Sequence, residues 1–159
     1  MPARIMKALL MESFDPEKIQ GTWYVIRRNL ELFDSVKCIK FDLKHDSKIE
    51  DLYALTTHWI NSKSDYLETR FNIVDDRAHR ARFFFESQRD KLASITLGTD
   101  YDNYLVGFGV NGVRETYFVA SRTKTLTPEH NAAANEILVK NEVVRDWVDV
   151  SHDGCPAEH

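Results

Sequence analysis

Eight short runs rich in Val, Ile, Thr, Phe and Tyr follow one another along most of this 159-residue chain, each bounded by Asp, Asn, Ser or Gly. They cover Thr22 to Asn29, Val36 to Lys44, Ile49 to Ile60, Tyr66 to Val74, Ala81 to Glu86, Leu92 to Leu97, Asn103 to Gly109 and Arg114 to Ser121. β-Branched and aromatic residues suit a pleated, half-buried surface, so each run predicts a strand. The joins carry turn chemistry at His45-Asp46-Ser47-Lys48, Asn61-Ser62-Lys63-Ser64-Asp65, Asp75-Asp76-Arg77 and Asn111-Gly112, the last a strong hairpin signal. Short joins make consecutive strands antiparallel neighbours. A meander of this kind exposes two edges unless it closes on itself. The expected architecture is therefore all-β, an eight-stranded antiparallel up-and-down barrel.

One segment breaks the pattern. Thr127-Pro128-Glu129 sets a capping hydroxyl before a proline at the first helical position and an acid in the first turn. The helix it starts runs to about Lys140, and Ala133, Ile137 and Leu138 give it one face to dock on the outside of the barrel. Asp15-Pro16-Glu17 repeats the signal on a smaller scale, predicting a helical turn that closes one barrel end, and Trp147 to Val150 suits a ninth short strand. The length fits one domain, residues 1–159, with 1–13 expected to be poorly ordered.

Composition narrows the function. A chain 43% hydrophobic and 29% charged is ordinary for a globular protein. Net charge is −4 and no basic stripe appears, which argues against nucleic acid as a partner. No apolar run approaches the roughly 20 residues that span a bilayer. The start, MPARIMKALLMES, is interrupted by Lys7 and lacks a cleavage site, so it is not read as a signal peptide; a trimmed remainder of a longer precursor is one alternative. Histidines at 45, 58, 79, 130, 152 and 159 lack the spacing of a metal site, and haem ligation by His58 or His79 competes with an ordinary surface role. With no G-x-S-x-G elbow, Walker loop or dinucleotide fingerprint, no catalytic residue is expected and no cofactor is required. The two cysteines, Cys38 and Cys155, form neither a zinc cluster nor a dense disulfide scaffold; they are either one pair or two free thiols.

Three local patterns point to a family. Gly21-Thr22-Trp23-Tyr24 matches the G-x-W-Y opening of lipocalins, Thr99-Asp100-Tyr101-Asp102-Asn103-Tyr104 resembles their T-D-Y-x-x-Y motif, and Ser121-Arg122 resembles the end of their eighth strand. Each is weak alone; three in order and spacing are specific. The resemblance runs from Phe14 to Pro156 and implies the lipocalin barrel with its C-terminal helix outside. It implies structural roles for Trp23 and Arg122, a tryptophan plugging the closed end under a stacked arginine, a cation–π pair of about 0.5 to 2 kcal/mol. Cys38 and Cys155 sit where the apolipoprotein D and bilin-binding group has a second-strand cysteine joined to the tail, which implies a disulfide and a secreted protein. The chain departs from that group in lacking its other cysteine pair, and from many secreted relatives in having no N-x-S/T site.

Strand alternation then assigns the interior, since successive side chains face opposite sides. With Trp23 inward, Val25 and Arg27 follow. Ile39, Phe41 and Leu43 share a face opposite Cys38, Lys40, Asp42 and Lys44. Tyr53, Leu55 and Trp59 form the apolar face of the third strand, and Phe83 and Phe85 alternate with Arg82 and Phe84. Leu105 follows from the family match, and Thr116, Phe118 and Ala120 from Arg122. A ligand is therefore expected at Val25, Arg27, Ile39, Phe41, Leu43, Tyr53, Leu55, Phe83, Phe85, Leu105 and Phe118. Arg27 is either a guanidinium that takes an acidic ligand head or a rim residue reaching solvent with Arg28.

The resemblance implies binding and transport of a small hydrophobic ligand: a lipid, fatty acid, retinoid or carotenoid, or bilin pigment. The segment from Ser13 to Cys38 with the Cys155-Pro156 tail also resembles the lipocalin domain of violaxanthin de-epoxidase, a carotenoid-converting enzyme. That enzyme's cysteine-rich and acidic flanking regions have no counterpart in this sequence. A secreted modulator that sequesters an amphiphile or binds a protein is a third reading. Oligomeric state has no signature in the sequence.

Overall fold

Antiparallel pairing runs unbroken from one strand to the next in the computed structural model, which describes residues 14–29, 36–75, 82–85, 92–111 and 114–156. The strands are β1 (Gly21–Asn29), β2 (Lys37–His45), β3 (Leu52–Ile60), β4 (Tyr66–Asp75), β5 (Arg82–Phe85), β6 (Leu92–Thr99), β7 (Tyr104–Asn111) and β8 (Arg114–Ser121). Their order is sequential, β8 returns to β1, and β1 pairs with β2, so the sheet closes as an eight-stranded antiparallel barrel. A 3-10 turn at Pro16–Ile19 precedes β1, a helix α1 (Pro128–Lys140) lies outside, and β9 (Trp147–Asp149) adds to β1. The expected segment 1–13, His79, His159 and the tips at 76–81 and 112–113 lie outside the described residues.

The predicted caps form. Asp15 accepts from the Glu17 amide at the 3-10 turn, and Thr127 accepts from the His130 amide at α1, each ahead of a proline that has no amide to satisfy. The helix seats on β6 and β7 over Ile95, Val106, Phe108, Tyr117 and Val119. Its buried contacts are Ala134 and Leu138, with Ile137 half-buried beside them. The expected face is thus turned by one residue, from Ala133 to Ala134. Ile137 sets the turn: an added Cβ on Gly98 would lie 2.5 Å from its Cδ1, so the helix enters a socket that only glycine leaves open.

β1 divides one of its edges between two partners. Gly21 to Tyr24 pair with β2, whereas Arg27 to Asn29 pair with β9. Where β2 peels away, the tail continues the ladder: the Val150 amide donates to the Ile26 carbonyl and the Cys38 amide to the Ser151 carbonyl, both at 2.8 Å. The disulfide Cys38–Cys155 fastens the tail at that fork and closes a loop of 117 positions. Beside it, half-buried His152 meets the Val25 carbonyl through Nε2 at 2.8 Å and stands edge-on to Tyr24.

Two stability tests follow from this fastening. In the chain-entropy account a loop of this size is worth about 4 to 5 kcal/mol, so joint replacement Cys38→Ser and Cys155→Ser should lower the urea-unfolding free energy by that order; a loss below about 1 kcal/mol would show that the β1–β9 ladder holds the tail by itself. Burial, reinforced by Lys124, holds the His152 imidazole below its ordinary value of 6.5, against the opposing pull of the Val25 carbonyl and Asp153. A base depressed in the fold is protonated first in the unfolded chain, so stability is complete above about pH 6.5 and falls as pH drops toward the folded value. Urea curves from pH 7.5 to 5.5 should show this loss in the wild type and a smaller one in His152→Gln.

Candidate functional site

The closed end is filled. Trp23 is wholly buried, its Nε1 donates to the Ile19 carbonyl at 2.8 Å, and Phe14, Ile19, Leu43, Tyr53, Ile73, Phe83, Leu105 and Ala120 pack around it. The Arg122 guanidinium lies 3.9 Å from the Trp23 ring centroid. It donates to four backbone carbonyls, through Nε to Tyr101, through Nη1 to Gln20 and Thr22, and through Nη2 to Lys18. Gly21 is needed here because its φ is +102° and an added Cβ would approach Arg122 Nη1 to 3.1 Å. Burial lowers the Arg122 pKa from its ordinary value, and Asp102 and Asp100 oppose the shift.

The neighbouring Asp100 shapes the β6–β7 turn. Its carboxylate accepts from the Asn103 and Tyr104 amides and from the Asn103 side chain. Burial pushes its pKa up, but these hydrogen bonds and His130 outweigh burial and leave it lowered. The turn's tyrosine, Tyr101, supplies through its hydroxyl an acceptor for the Asp15 amide and so ties the N-terminal segment across the barrel's end.

Above this floor the barrel is hollow. A cavity of about 280 Å³ is lined by Val25, Arg28, Ile39, Phe41, Leu55, Thr57, Phe85, Ser94, Gly109, Thr116 and Phe118. Phe41 and Phe118 meet edge-to-face at 5.9 Å, and Phe85 does the same with Phe71 at 5.1 Å. Phe118 is held against the wall by Gly107, where an added Cβ would lie 3.2 Å from the ring and 2.7 Å from the Ile95 carbonyl oxygen.

No family model matches the chain. Apolipoprotein D of Macaca fascicularis is 26% identical over 156 residues, covering 92% of this chain and 82% of that protein. Lobster apocrustacyanin A1 superposes with a TM-score of 0.74 at 16% identity, over 96% of this chain and 88% of its own. The amine binding protein of Rhodnius prolixus, solved as its tryptamine complex, gives 0.70 at 17% identity, over 87% and 82%. The closed barrel, the outer helix and the relation to apolipoprotein D agree with the three sequence motifs. The chain has the lipocalin fold.

Within this barrel the expected ligand residues separate into three groups. Val25, Ile39, Phe41, Leu55, Phe85 and Phe118 line the cavity. Leu43, Tyr53, Phe83 and Leu105 share the inward parity but lie one level lower, in the packing around Trp23. Arg27 is outside: a bulge between Val25 and Arg27 sets Val25 opposite Ala120 and Arg27 opposite Val119, which reverses the alternation for the rest of β1. Arg27 instead hydrogen-bonds Asn135 of α1 through Nη2 and sits 5.7 Å over the Trp147 ring. Burial lowers its pKa while Asp149 raises it.

Arg28 takes the inward place. Like Thr57, Ser94, Gly109 and Thr116, it lies outside the expected ligand set, although Thr57 shares the parity of Leu55 and alternation places Thr116 inward. These residues are small or polar and carry no hydrophobic signal. His58, considered as a haem ligand, projects from the outer face, with Nε2 3.4 Å from Asp42 and Nδ1 3.2 Å from the Tyr66 hydroxyl. Among the described residues no group of three or more His, Cys, Asp or Glu side chains could hold a metal ion.

Arg122→Ala should destabilise the barrel by about 3 kcal/mol, since it strips charged donors from several carbonyls and uncovers Trp23. Thermal or urea unfolding followed by tryptophan fluorescence checks this, and Arg122→Lys should recover only part of the loss because an ammonium cannot reproduce the planar fork.

Proposed function

We propose that this lipocalin binds and carries one small hydrophobic molecule in the cavity above Trp23. The observation that carries the proposal is the change in filling along the barrel axis. At the level of Trp23, Tyr53 and Phe83 the interior is packed, whereas one level higher aromatic and aliphatic side chains face an open space. Its volume, about 280 Å³, lies near the lower end of ordinary small-molecule sites, so the occupant is small or extends through the mouth. Val25, Ile39, Phe41, Leu55, Phe85 and Phe118 contact it. A lipid, fatty acid, retinoid or bilin has the apolar surface such walls select.

Among the described residues the lining contains no carboxylate, imidazole or thiol, which favours carriage over conversion of a carotenoid. The neighbour from Rhodnius prolixus holds tryptamine, so this fold accommodates a small aromatic guest in at least that protein. The disulfide at the tail suits an oxidising compartment and supports secretion of the protein.

Titration with the neutral fluorophore N-phenyl-1-naphthylamine tests the reading. Saturable enhancement at one site is expected. Gly109→Leu should weaken it about tenfold or more, because a Cβ there meets nothing closer than 3.9 Å and the new side chain fills the cavity. Unchanged binding in that variant would place the fluorophore elsewhere, and no binding to the wild type would remove the carrier proposal.

A further inference from the structure

The cavity wall has two chemically different sides. Register places Thr116 of β8 opposite Gly109 of β7, and Gly109 opposite Ser94 of β6, so two hydroxyl residues flank a bare glycine in one row across three strands. Arg28, opposite Phe118 on the adjoining strand, stands next to this row. The other side, from β2, β3 and β5, presents Ile39, Phe41, Leu55 and Phe85. Thr57 belongs to that side, but its hydroxyl donates to the Thr69 carbonyl and so serves the barrel.

Height in the barrel matters as much as side. Ala120 belongs to the floor, Phe118 is the next inward residue of β8, and Thr116 the next again toward the open end. The polar row therefore lies near the mouth and the apolar surfaces reach down to Trp23. Gly109 leaves a notch between the hydroxyls, since an added Cβ would find its nearest neighbour, the Ala93 carbonyl oxygen, only at 3.9 Å.

We infer that the ligand is a monoanionic amphiphile: an apolar chain that enters first and a carboxylate that stays near the mouth, against the Arg28 guanidinium and the notch over Gly109. Arg28 is the one charged side chain among the described lining residues. A guanidinium matches a carboxylate through paired N–H donors, and its field is screened less between apolar walls than in water. An amine is disfavoured by the same charge, which separates this lipocalin from the tryptamine-binding neighbour. A head group at the mouth also keeps partial contact with water, which limits its desolvation cost. The inference rests on the carrier reading above and adds to it the charge and orientation of the guest.

Displacement of N-phenyl-1-naphthylamine at pH 7.5 by decanoate, decanol and decylamine, equal in chain length, tests it. Decanoate should displace the reporter about tenfold more tightly than decanol, with decylamine weakest. In Arg28→Gln, with folding verified by its circular dichroism and melting, decanoate should fall to parity with decanol; Arg28→Lys should keep part of the preference. Equal displacement by all three in the wild type would overturn the inference while leaving a hydrophobic carrier. A preference that survives Arg28→Gln would overturn the role of Arg28. Failure of the reporter itself to bind would instead remove the carrier reading. The wild-type comparison decides the ligand charge even if a variant fails to fold.

Discussion

A closed sheet has to satisfy every backbone donor and acceptor along its seam, and in this barrel that demand falls on β1. Its first half closes against β2, but β2 then diverges, and the upper half of the seam has no barrel strand to complete it. An open ladder there would leave unpaired amides and carbonyls beside Val25 and Arg28, which also line the cavity. β9 and the residues after it fill the gap, and the disulfide pins them to β2 where the two strands part. The tail thus completes the backbone ladder of a strand that lines the cavity.

The same economy of space governs the two cores. Large side chains on β6, β7 and β8 that face away from the lumen, Phe108, Tyr117 and Val106 among them, are buried because α1 covers them. Inside, bulk is concentrated at the closed end, where Trp23 is held by hydrogen bonding and by Arg122. Gly98 and Gly107 lie on the strands between these layers, one admitting Ile137 from outside and the other Phe118 from inside. Removal of a side chain on one face therefore makes room for a neighbour, whereas at Gly109, on the lumen side, an added Cβ would meet nothing closer than 3.9 Å.

Most of the barrel was legible in the sequence because alternation and turn residues are local signals. Eight strands, the capped helix, the 3-10 turn and the ninth strand all appear close to their expected limits, with β3 beginning at Leu52 because Ile49 to Asp51 belong to the preceding turn. Inward parity was legible too, on every strand where pairing stays regular. Depth was not. Leu43 and Phe41 look alike as inward residues of one strand, yet Leu43 is buried in the cluster around Trp23, whereas Phe41 packs against that cluster and also lines the cavity. The bulge in β1 was equally silent, since neither Ile26 nor Arg27 is a residue type that marks one.

The Arg27-Arg28 pair shows why that omission altered the site less than it might have. Adjacent residues on a strand face opposite sides, so either register sends one guanidinium inward and one outward. What the bulge decides is which of the two faces the cavity. Its choice agrees with the outer surroundings: Asn135 of α1, the Trp147 ring and Asp149 of β9 are all positioned to receive Arg27. Two of those partners, Trp147 and Asp149, belong to the tail that closes the seam, so the element completing the β1 edge also receives the side chain whose outward place turns Arg28 into the cavity.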